Sequence, residues 1–66
     1  MKYRIEYREY DDADDQGRLV EFLSAVDARS FMFENGFVSI WTESGGTQTP
    51  DLYVNANDVL TIKQID

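Results

Sequence analysis

In KYRIEYREY, residues 2–10, polar and apolar side chains alternate from Lys2 to Arg8: Tyr3, Ile5 and Tyr7 fall on one side, Lys2, Arg4, Glu6 and Arg8 on the other. A period of two is the mark of a strand with one face buried. RLVEFL, residues 18–23, has the same character and predicts a second strand. A loop must join them, so the two are expected to form a hairpin. Pairing Ile5 with Phe22 and Tyr7 with Val20 places four apolar side chains on one face and sets Glu9 opposite Arg18. A slip of one residue would split the apolar sets between faces, so this register is favoured. The other face then carries Arg4, Glu6, Arg8, Leu19, Glu21 and Leu23.

From Ser24 onward the spacing changes. Ala25, Ala28, Phe31 and Met32 are three and four residues apart, which is the period of one helix face. Ser24 reads as an N-cap, with Asp27 placed as in a capping box. Asn35-Gly36 reads as the stop, with Gly36 suited to a left-handed cap. Residues 24–36 are therefore expected to be a helix. Strand alternation returns in FVSIWTE, residues 37–43, and again in DLYV, 51–54, and DVLTIKQI, 58–65. SGGTQTPD supplies a turn between them. Asn55-Ala56-Asn57 is a polar break, either a tight turn or a bulge in one bent strand.

These elements predict an α+β single domain, 1–66, with an antiparallel sheet of four or five strands and one helix packed on one face, in the order ββαββ(β). That order resembles the β-grasp. Tyr3, Ile5, the Asn35-Gly36 stop and Trp41-Thr42 in NGFVSIWTE are loosely similar to the immunoglobulin-binding domain of protein G. The resemblance implies a fold; no function is carried across from it, because folds do not fix function.

Composition narrows the chemistry. Hydrophobic residues make up 42% of the chain and aromatics 14%, enough to pack a core and too many for a disordered tail. With no histidine and no cysteine, Ser–His and Cys–His pairs, thiolate metal sites and disulfides are excluded. No glycine-rich phosphate cradle is present, and a domain this small seldom encloses a substrate. A non-catalytic role without cofactors is expected. No apolar run approaches the ~20 residues that a membrane-spanning helix needs, and the opening residues show no apolar leader, so a cytoplasmic setting is expected.

Charge adds a direction. Thirteen acids face six bases, a net charge of −7, which repels nucleic acid and anionic membranes and favours basic or mixed protein surfaces. The acids concentrate: Glu9, Asp11, Asp12, Asp14 and Asp15 have no base among them, and no base lies between Arg29 and Lys63. Laid on the EF-hand pattern, Asp12 and Asp14 take the first and third positions and Gly17 the sharp turn. Gln16 replaces the next ligand, however, and Leu23 stands where the closing glutamate belongs. No dedicated metal site follows; weak calcium capture is the third-ranked reading. Mimicry of nucleic-acid phosphates by Asp11, Asp12, Asp14 and Asp15, inhibiting a DNA- or RNA-binding protein, is the second. The first is protein binding through Tyr10, Asp11, Asp12, Asp14, Asp15, Leu19 and Leu23. Such a profile fits a small accessory or regulatory protein of a bacterium or phage, monomeric or weakly dimeric through a sheet edge. Trp41 is expected either in the core or as an interface anchor.

Overall fold

In a computed structural model, residues 1–11, 16–42 and 48–66 are described. They form strands β1 (Tyr3–Asp11), β2 (Val20–Glu34), β3 (Phe37–Thr42), β4 (Leu52–Asn55) and β5 (Val59–Gln64), with a 3-10 turn, η1 (Ala56–Asp58), before β5. All pairings are antiparallel, in the order β4-β3-β2-β1-β5. The α+β expectation and its β-grasp resemblance are thus overturned. Among the described residues there is no α-helix, and the segment expected to be one is the second half of a long strand.

The reason lies at Arg29. The β2–β3 register shifts between Ala28 and Ser30, so one extra residue is inserted there as a bulge. Before it, Val26 and Ala28 share a face with Ile5 and Tyr3; after it, Phe31 and Phe33 stand opposite Ile40 and Val38. A bulge puts two residues against one and moves the alternation by one position. Ala28 and Phe31 therefore both serve the inner side while lying three apart, which imitates a helical step. Asn35-Gly36 is likewise a hairpin rather than a helix stop. Both residues have positive φ, 54° and 82°, as a two-residue turn matching strand twist requires. Ser24 and Asp27 cap nothing: Asp27 faces Arg4 across the ladder.

Extending β2 also resets the hairpin. Ile5 faces Val26, Tyr7 faces Ser24, and Phe22 faces Glu9 rather than Ile5. The apolar sets still share one face, as expected, but further along. The Asn55–Asn57 break is η1, in which the Asn55 carboxamide accepts from the Asn57 N–H at 2.9 Å.

This sheet cannot be flat. Across five strands, the edges would lie about 19 Å apart at the usual strand spacing. Yet only the three residues of η1 separate the edge strands β4 and β5, and a 3-10 turn advances about 2 Å per residue. The sheet therefore rolls until its edges converge. Ile5, Tyr7, Ala28, Val38, Ile40 and Val54, from β1, β2, β3 and β4, meet in one core, with Val26, Phe31, Leu52, Ala56, Val59 and Ile62 packed around it. η1 closes the roll. The Ala56 N–H donates to the Gly36 carbonyl at 2.9 Å, and Arg8 donates to the Asn57 carbonyl at 2.5 Å. Cross-sections of 22 × 22 Å against a length of 42 Å describe a narrow roll with an extension.

Candidate functional site: an apolar and acidic ribbon

The extension is the far half of the β1–β2 hairpin. β5 pairs with β1 only as far as Tyr7, and β3 pairs with β2 only from Ala28. Past those points, the two long strands run on as a two-stranded ribbon. Its inner side continues Tyr7 through Glu9 and Asp11, opposite Phe22 and Val20; its outer side carries Arg8 and Tyr10, opposite Leu23 and Glu21. With no strand packed over them among the described residues, its apolar residues meet water. Leu19 is 68% exposed and Leu23 71%; Tyr10, Val20 and Phe22 are also exposed. Apolar side chains gathered on a surface mark contact sites.

Among the expected partner-binding residues, the structure brings Tyr10 and Leu23 together as diagonal neighbours on the outer side. Asp11 ends β1 on the inner side, and Leu19 precedes β2, both exposed. Asp12, Asp14 and Asp15 lie outside the described residues. Val20 and Phe22, expected on the covered face opposite Tyr7 and Ile5, are exposed instead, because the longer β2 sets them opposite Asp11 and Glu9, past the part of the sheet that the core covers.

Electrostatics bind the outer side of the sheet to itself. Arg4 donates to both carboxylate oxygens of Asp27, at 2.9 and 3.3 Å. The guanidinium, by hydrogen bond and charge, holds the Asp27 carboxyl below its ordinary range, and Asp27 in turn raises Arg4. Arg8 Nε stands 3.7 Å from both Glu21 and Asp58, and the Tyr10 hydroxyl donates to Asp58 at 3.2 Å. Partial desolvation, followed by the bond to Asp58, pushes the Tyr10 hydroxyl up. Thr61 donates to Glu6 at 2.7 Å, with Lys63 4.0 Å away. On this side, Lys2, Arg4, Arg8 and Tyr10 are therefore interleaved with carboxylates, as cross-strand pairing favours. On the inner side, Tyr7 donates to Glu9 at 3.2 Å, and burial, with Glu9 beside it, raises the Tyr7 hydroxyl above its ordinary value.

The sheet also carries a concavity that the sequence analysis does not single out. Glu34, Asn35, Phe37, Ser39 and Tyr53 line an open groove of about 300 Å³ on the outer side of β3 and β4. The alternation of Phe37 and Ser39 with Val38 and Ile40 was the signal that could have placed them there. Trp41 is half-buried and lies outside the buried core; its Nε1 donates to the Gln48 carbonyl at 3.1 Å.

Among the described residues, no group of three or more histidine, cysteine, aspartate or glutamate side chains is placed to hold a metal. The EF-hand-like aspartates Asp12 and Asp14 lie outside that set. Among the described residues, no helix is long and apolar enough to cross a membrane. No protein-family model, curated protein or solved structure matches this chain.

Proposed function

We propose that the chain is a non-catalytic protein-binding domain whose contact surface is the β1–β2 ribbon. One observation carries this reading: Tyr10, Leu19, Val20, Phe22 and Leu23 are all exposed on one projecting element, while the core holds only six buried residues among those described. A small domain that leaves such side chains outside its core, on an element held clear of it, presents them to something else. The acids Glu9, Asp11 and Glu21 on the same ribbon favour a partner with a basic or mixed surface. A cysteine-free chain suits a reducing compartment, and we take the cytoplasm as its setting.

The test is capture of binding proteins from a host lysate at low and high salt. The wild-type chain is compared with a Leu23→Ser/Phe22→Ser variant and with an Asp11→Asn/Glu21→Gln variant, each checked for an unchanged circular dichroism spectrum. Loss of the same partner by the serine variant, with modest salt dependence, is the expected result. A partner retained by the serine variant but released by salt or by the amide variant would mark carboxylates alone as the recognition element. Phosphate mimicry would then displace this reading.

A further inference from the structure

Resting on that reading, we infer that the partner docks as an added strand along the open edge of β2, residues 20–27, and that it is an extended segment alternating basic with apolar side chains. The topology leaves this edge. β1 occupies one flank of β2 from Val20 to Ala28, whereas β3 occupies the other flank only from Ala28 to Glu34. Residues 20–27 thus have a strand on one side and, among the described residues, none on the other. It is a longer open run than the whole of β4, Leu52–Asn55, or of β5, Val59–Gln64. A strand edge carries unsatisfied N–H and C=O groups in strand register, and another extended chain is the natural complement.

The side chains along this edge specify the occupant. On one side, Val20, Phe22, Ser24 and Val26 alternate, with Val20 and Phe22 exposed; on the other stand Glu21, Leu23, Ala25 and Asp27. Directly opposed side chains in an antiparallel pair interact. The guest therefore presents apolar groups beside Val20 and Phe22 and a lysine or arginine beside Glu21. Asp27 is held by two short bonds from Arg4, at 2.9 and 3.3 Å, whereas Glu21 has a longer 3.7 Å contact with Arg8, so the selective charge is Glu21, with Glu9 and Asp11 nearby in the ribbon. A second copy of this chain is the poorer guest, since two bodies of net charge −7 repel.

The experiment uses the full chain with three blocked nine-residue peptides: one alternating valine with lysine, one alternating valine with glutamate, and the lysine peptide interrupted by proline. Amide exchange is followed residue by residue. In the free protein, alternate amides within 20–27 should exchange freely, while their neighbours bonded to β1 are protected. The lysine peptide should slow those open amides at least tenfold; the glutamate and proline peptides should not. Glu21→Lys should reverse the charge preference at least fivefold without altering the fold. Protection of those alternate, outward-facing amides in the free chain, whether internal or through a dimer seen by sedimentation, overturns the proposal. So does binding that leaves these amides unprotected. If a captured partner depends on Phe22 and Leu23 while the open amides stay unprotected in its complex, strand addition fails and the protein-binding reading stands. If no partner depends on the ribbon at all, both fail.

Discussion

Gly36 holds φ at 82° in open surroundings, with nothing within 4 Å of where a Cβ would sit. The cost of replacing it is therefore conformational rather than steric. Gly36→Val should destabilise the fold by about 1–2 kcal/mol, the usual penalty for an L side chain in left-handed backbone. It should show as a lower urea midpoint at unchanged slope. Asp27 makes a prediction of a different kind. Because Arg4 depresses its folded-state pKa, the stabilisation this pair gives is present above the ordinary value of 3.8 and is lost as pH falls through the lower folded value. Carboxyl titration should place the Asp27 midpoint below 3.8, and Arg4→Gln should return it there. Tyr7 runs the other way. Its raised hydroxyl favours the folded state up to its ordinary value of 10.0 and loses that preference as pH rises through the higher folded value.

Among elements, β2 decides the architecture, and it is also where sequence and structure part. The strand alternation of β1, β3, β4 and β5 was plain in the chain, and so was the shared face of Ile5, Tyr7, Val20 and Phe22. What the pattern hid was a single inserted residue. Arg29 breaks the period of two at Ala28 and restarts it at Phe31, so a bulged strand wore the spacing of a helix. Asn35-Gly36 then fitted either reading, although flanking alternation in FMFENGFVSIW favours the hairpin. The site suffered from the same error: a strand assumed to stop at Leu23 leaves no free edge to notice. Arg29 is exposed, so Arg29→Ala should be tolerated. Deleting it should turn Phe31 and Phe33 to the opposite face and abolish the folded near-ultraviolet spectrum. Far-ultraviolet circular dichroism of the wild-type chain should show a sheet spectrum without helical minima.

As a whole molecule, the chain trades compactness for reach. Its radius of gyration is 13.1 Å, against about 11 Å for a compact domain of this length. Ile5 and Ile40 are fully buried, and truncating either to alanine should cost about 2–5 kcal/mol. Small domains hold little more than that in total, so both variants should be largely unfolded at 37 °C, as judged by thermal melting. The pairing of β1 with β5 has a practical corollary. The Ile65 N–H donates to the Lys2 carbonyl at 2.8 Å, and Tyr3 faces Gln64, so the two chain ends sit side by side, at the opposite end of β1 from the ribbon tip. A domain with abutting ends can be spliced into a surface loop of a host protein without prising that loop apart. Grafted this way, it would stand on its host like a lamp on a two-wire flex, with the β1–β2 ribbon pointing outward.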